Sequence, residues 1–235
     1  MGKGEDGMMK TMKVRTLASA GVLLVMTACS NDMSRGNVPP AAQMEPSPRY
    51  ARTMRYVRTD VDYRKYNSFI IDPADVYTGA DAEFGSASQQ DKLDMAAYTY
   101  AQFREVIGAK YPLVNAPAAN VARIHMTVVG MEATQPLLST VTHLAPAGLA
   151  LNTLKGVSGG KGSFMGSVTL EIDVFDSVSN DLVAAVVTNQ QANALDITSV
   201  PSKYGAARTG VTEGAEKLLK SIDDIQAGRG VPQAD

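Results

Sequence analysis

Val168-Thr169-Leu170-Glu171-Ile172-Asp173-Val174 decides the fold class. Its apolar residues occupy every second position, and a strand is the regular element that sends alternate side chains to opposite faces. Ile124, Met126 and Val128 alternate with His125, Thr127 and Val129 in the same way. Both segments therefore predict half-buried strands with one face on a core. Asp176 to Asp181 supplies turn residues, and Leu182 to Asn189 is a third run placed to return as a hairpin partner.

Outward from these strands the period lengthens. Ser88-Gln89-Gln90-Asp91 is a capping-box pattern, followed by Leu93, Ala96, Tyr100, Phe103 and Ile107 at helical spacing until Gly108 and Pro112. Val211, Ala215, Leu218, Ile222 and Ile225 mark a closing helix, with Glu213/Lys217 and Glu216/Lys220 in the favourable i, i+4 order. Ahead of the first helix, Phe69-Ile70-Ile71 reads as a buried strand closed by Asp72-Pro73, because proline cannot continue a ladder. The expected order is β-α-β-β-β-α. That is an α/β chain of the α+β type: a small, mostly antiparallel sheet with two helices on one face, plus an apolar insertion between strands. Residues 56–227 are expected to form this single domain, with 228–235 as a flexible tail.

Composition narrows the function. The 235 residues carry 22 basic and 24 acidic side chains, a net charge of −2, so no global positive field concentrates nucleic acid and no nucleic-acid partner is expected. One cysteine rules out an internal disulfide, a CxxC redox pair and a Cys-rich zinc site together. Two histidines, His125 and His143, provide no HExxH and little material for a metal cluster; no metal and no cofactor is expected.

The single cysteine is informative by its place. From Met9 the chain reads MKTMKVRTLASAGVLLVMTACS, with Lys10, Lys13 and Arg15 ahead of an apolar run from Leu17 to Met26 and small residues before Cys29. A basic end followed by an apolar middle is an export signal. The run is about 10 residues, short of the roughly 20 that span a bilayer. Met26-Thr27-Ala28-Cys29 resembles the lipobox of bacterial lipoproteins, with methionine in place of the usual leucine. The resemblance implies cleavage after residue 28, lipidation of Cys29 and a membrane partner through that anchor. Two or more acyl chains, at about 0.8 kcal/mol per buried methylene, hold a protein stably. Ser30 and Asn31 stand where an aspartate would direct inner-membrane retention in the enterobacterial pattern, so the periplasmic face of the outer membrane is the expected location. Glu5 and Asp6 sit awkwardly in a basic region, which suggests a start at Met8, Met9 or Met12. Removing residues 1–28 takes the net charge from −2 to −4.

Residues 29–55 read as the lipidated cysteine and a disordered linker, with Pro39, Pro40, Pro46 and Pro48 and few large apolar side chains. As flexible coil, 30–55 would span roughly 28 Å. Arg49, Arg52, Arg55 and Arg58 recur every third residue with Tyr50 and Tyr56 between them, a pattern that suits either anionic lipid or a solvated lead-in.

The run Tyr56-Val57-Arg58-Thr59-Asp60-Val61-Asp62-Tyr63-Arg64-Lys65-Tyr66, with Phe69-Ile70-Ile71-Asp72-Pro73-Ala74-Asp75-Val76-Tyr77 behind it, resembles the opening of bacterial lipoproteins that carry domain of unknown function 3313. The resemblance implies a compartment and a domain but no activity. Tyr66, Asp72 and Pro73 match its pattern best and suit a structural role at a strand end.

No constellation fixes a reaction, and no enzyme is expected. Gly156-Val157-Ser158-Gly159-Gly160 matches GxSxG, but both histidines precede Ser158 and more glycine follows it, whereas a nucleophile elbow needs a strand before, a helix after and a histidine later. An envelope hydrolase using Ser158 is the alternative. Gly160-Lys161 is followed by Gly162 where a P-loop needs Ser or Thr. Glu171 and Asp173 share one strand face about 7 Å apart, a spacing open to paired-carboxylate chemistry or to an exposed charge set with Arg123 and His125 on the neighbouring strand. Leu137, Leu138, Val141, Leu144, Leu149, Leu151 and Leu154 crowd the charge-free stretch before Lys155. They read as a helix on the open side of the sheet, a self-association surface, or an apolar arm for a membrane or partner. The expectation is a lipid-anchored binding or accessory domain of a cell-envelope assembly whose partner is an unknown envelope protein or a second copy.

Overall fold

Three long strands carry the sheet: β5 (Val121–Thr134), β6 (Met165–Asp176) and β7 (Leu182–Gln191). They appear in a computed structural model that describes residues 33–39, 42–134, 165–191 and 202–229. β5 pairs antiparallel with β6, and β6 with β7. Shorter strands precede them: β1 (Glu45–Pro46), β2 (Thr53–Val57), β3 (Ser68–Ile71) and β4 (Asp75–Val76). The seven strands run in the order β1-β2-β7-β6-β5-β3, with β4 also on β5. β3 and β4 lie parallel to β5 and the other pairings are antiparallel. A parallel pair needs a crossover, and helix α1 (Gln89–Gly108) supplies it between β4 and β5. Helix α2 (Gly205–Gln226) closes the described chain.

The alternation in β6 works as its sequence predicts. Val168, Leu170 and Ile172 join Ile124, Met126 and Val128 in the main core, against Phe103 and Ile107 of α1 and Val211 and Ala215 of α2. Both helices therefore cover one face of the sheet. The capping box forms: Ser88 Oγ accepts from the Asp91 N–H at 3.1 Å, and Asp91 Oδ2 from the Ser88 N–H at 3.0 Å. The buried stripe of α1 is Met95, Ala96, Thr99, Phe103 and Ile107. Leu93, expected on it, is 49% exposed. Thr99 takes an inward place because its hydroxyl donates to the Met95 carbonyl at 2.9 Å, so no polar group is stranded.

The opposite face is also covered, and here the structure departs from the tether expected over residues 29–55. Residues 33–39 and 42–44 form a strap across it: Val38 and Ala42 are buried on Ala185 and Val187 of β7, with Met33 and Met44 beside them. Arg35 closes the strap by donating to the Ala42 carbonyl at 2.6 Å. β1 and β2 then extend the sheet beyond β7. Few apolar residues suffice because the sheet already offers an apolar surface, and because the ladder with β7 satisfies the backbone of β2.

Candidate functional site

Helix α2 meets the sheet unevenly. Its first half is made of small residues, and Ala206, Ala207, Gly210, Gly214 and Ala215 are buried. A Cβ at Gly210 would stand 3.1 Å from the Gln190 carbonyl and 3.2 Å from Val168 Cγ1, so glycine eases the close approach of α2 to the sheet there. The second half carries Leu218, Ile222 and Ile225, which are only partly buried. Between these side chains and Ile172, Val174, Ala184 and Val186 of the sheet lies a cavity of about 360 Å³. Ser47, Pro48, Arg49 and Tyr50 form part of its wall, with Thr188, Gln190, Lys217 and Asp224 as polar members. A mostly apolar concavity with a few convergent polar groups is the usual form of a small-molecule site.

The polar edge of the cavity is rich in donors. Asp224 forms ion pairs with Arg49 at 2.6 Å, Arg229 at 3.2 Å and Lys220 at 3.7 Å. The hydrogen bond from Arg49, then that from Arg229, holds the Asp224 carboxyl below its ordinary value, and the same contact raises Arg49. Lys217 donates to Gln190 and lies 3.5 Å from Glu213. Two of the lining residues, Tyr50 and Arg55, each hold a polar atom, Oη and Nε, closed to solvent and without a hydrogen-bond partner.

The four arginines with three-residue spacing do not act as one set. Arg49 bridges to Asp224, and Arg52 donates to Asn189 Oδ1 at 3.2 Å. Arg55 pairs with Glu45 at 2.8 Å, and Arg58 grips Asp60 through two bonds of 2.9 and 2.6 Å. Arg49 and Arg55 reach the cavity. Gln190 and Asp224 are not singled out by sequence pattern, and Tyr50 and Lys217 stand out only as parts of an arginine-rich run and of a helical ion pair. The Gly210/Gly214 pair was the available signal that α2 lies close to the sheet at one end.

On the strap face, Glu171 and Asp173 are buried, with Glu171 fully enclosed and Asp173 6% exposed. This corrects the expected exposed charge set. Arg123 turns to Asp72 at 3.7 Å, and His125, opposite Asp173 in the ladder, reaches Asp75 at 3.4 Å. The strap encloses Glu171: the Asn37 N–H donates to its Oε2 at 2.7 Å. Glu171 Oε1, Asp173 Oδ1 and Thr127 Oγ1 are left without partners. Burial raises the pKa of both carboxyls, and the charge of Asp173 adds to the effect on Glu171. Glu171, pushed up to about 8, retains its proton at neutral pH.

Cys29, Leu137, Leu138, Val141, His143, Leu144, Leu149, Leu151, Leu154 and Ser158 lie outside the described residues. Tyr66 has the structural role its position suggests: its hydroxyl donates to Asp176 at 3.0 Å and its carbonyl accepts Gln226 at 2.7 Å. Among the described residues no three His, Cys, Asp or Glu side chains converge as a metal site, and no helix is long and apolar enough to cross a membrane.

The fold and the cavity define an α+β domain, an open seven-stranded sheet backed by two helices, with an apolar concavity beneath the second half of α2. The chain belongs to the family described as protein of unknown function DUF3313, which matches residues 37–218. No curated protein matches it. Among solved structures it is similar to the PelC dodecamer from Paraburkholderia phytofirmans, at 10% identity and TM-score 0.36 over 74% of this chain and 95% of that one. It is also similar to a DUF4136 family protein from Bacteroides thetaiotaomicron, at 12% identity and TM-score 0.36 over 74% and 96%. A Xanthomonas campestris protein of the DUF330 family gives 8% identity and TM-score 0.34 over 73% and 93%. At these values the likenesses assign no function to this chain.

Proposed function

We propose that the protein is a lipoprotein anchored through Cys29 at the periplasmic face of the outer membrane, and that its domain acts by binding, as an accessory element of a cell-envelope assembly. The anchor rests on the basic-then-apolar run that ends at Cys29. Binding rests on one observation, the apolar cavity of about 360 Å³ between the second half of α2 and the sheet. A packed core fills such space, since interiors are as dense as organic crystals. A void of this size beside a polar opening suits an apolar guest.

Two measurements test the two halves. Labelled palmitate should be incorporated into the full-length chain and not into Cys29→Ser, which should also leave the outer-membrane fraction; equal labelling removes the anchor. Native mass spectrometry of the protein purified from envelopes should show an added apolar mass that the cavity-filling variant Ala184→Phe loses. Identical spectra from folded wild type and variant would remove the binding role.

A further inference from the structure

The charged groups that line the cavity are mostly of one sign. Arg55 lines it and commits one guanidinium nitrogen to Glu45, with further N–H donors on the same group. Arg49, 43% exposed at the side chain, commits one nitrogen to Asp224 while a guanidinium carries five N–H donors. Of the charged side chains that line the cavity, Arg49, Arg55 and Lys217 are cationic and Asp224 is anionic, while Glu45 and Glu213 pair with Arg55 and Lys217 from outside the lining. Positive charge and free donors are in surplus. A guanidinium has only donors to offer, so an acceptor-only, anionic group is the complement of this edge.

The interior asks for something different. Its walls are Ile172, Val174, Ala184 and Val186 on one side and Leu218 and Ile222 on the other. The volume of about 360 Å³ is near the lower end of the ~300–1,000 Å³ typical of ligand pockets, enough for one chain and cramped for two. We infer that the cavity takes a single-chain anionic amphiphile, with its alkyl chain between α2 and the sheet and its anionic head on Arg49 and Arg55. This rests on the binding role proposed above and names the class of ligand.

The test reconstitutes the full-length protein in phosphatidylcholine vesicles that contain either of two diazirine-tagged probes, hexadecyl phosphate or neutral hexadecanol. Illumination is followed by mapping of labelled peptides. The charged probe should label segments bearing Val186, Leu218 and Ile222 about tenfold more than the alcohol, the ratio expected for a charge-assisted hydrogen bond. Arg49→Gln should bring the phosphate down to the level of the alcohol, and Arg49→Lys should retain part of the difference. Ala184→Phe should abolish labelling of these segments by both probes while the protein keeps its circular dichroism spectrum. Equal labelling by the two probes in the wild type overturns the anionic assignment and leaves the apolar cavity standing. A preference for phosphate that survives Arg49→Gln combined with Arg55→Gln also overturns it. Labelling of these segments by neither probe overturns the binding role as well.

Discussion

The backbone N–H of Asn37 donates to Glu171 Oε2 at 2.7 Å, joining a residue near the start of the described chain to the middle of the central strand β6. Gly36 makes this possible. It adopts φ +61, and a Cβ there would overlap Glu171 Oε2 and lie 2.9 Å from Glu171 Cδ. Gly36→Ala should therefore loosen the strap, at a cost of about 1–3 kcal/mol for the left-handed backbone alone. Hydrogen exchange should quicken at residues 33–39 and 42–44 while α1 is unchanged. Unchanged protection there would show that the strap is held by Val38 and Ala42 without this contact.

The buried carboxyls give a pH dependence with a definite sign. The folded-state pKa of Glu171 is raised by burial and by the nearby Asp173 charge. Such a group contributes stability that is fully present below its unfolded value and is lost as pH rises through the folded value. The melting temperature should thus decline as pH rises above the ordinary carboxylate range. Glu171→Gln should flatten the profile, gaining a few degrees at alkaline pH and little near pH 4, because its amide oxygen still accepts from Asn37. A parallel profile for the variant would mean that Glu171 is ionised throughout.

Asp91 joins the two helix starts. It completes the cap of α1 and accepts Lys203 at 3.2 Å and Tyr204 at 3.4 Å, just before α2. Ser88→Ala should cost about 1 kcal/mol in urea unfolding, as the loss of one cap. Asp91→Ala should cost more, because it removes the reciprocal bond and both links to the start of α2. The pKa of Asp91 is lowered by the Ser88 contacts and then by Lys203, so its contribution is present above its unfolded value and fades as pH falls.

Phe103 is fully buried at the centre of the main core. Phe103→Ala should destabilise by about 3–5 kcal/mol, through lost transfer energy plus a new void. Leu93→Ala, four residues into the same helix and half exposed, should change stability by less than about 0.5 kcal/mol. A similar loss at both positions would mean that the buried stripe of α1 runs through Leu93 after all.

The long strands and both helices were legible because each satisfies a period: two for Val168 to Val174, about 3.6 for Ala96, Phe103 and Ile107. β1, β2 and β4 were not, since two to five residues are too few to show a period and their pairing depends on partners far away in sequence. The strap was hidden for a related reason. Val38 and Ala42 form no pattern among prolines and polar residues, and only the apolar strip of Ala185 and Val187 gives them a place. Glu171 and Asp173 were misplaced because alternation assigns them to the second face without saying that a distant segment roofs it. The cavity has no linear signature at all; it arises where α2 changes from Gly210 and Gly214 to Leu218 and Ile222.

The docked strap also sets a standoff distance. Met33 already packs on the domain, and it is four residues from Cys29. Four extended residues reach at most about 14 Å, against about 90 Å for the full extension of a free tether over residues 30–55. If Cys29 bears lipid as proposed, the domain loses orientational freedom and samples a shallow layer above the bilayer. Capture of a molecule leaving that bilayer then becomes a short-range event, and each residue peeled from the strap would lengthen the leash.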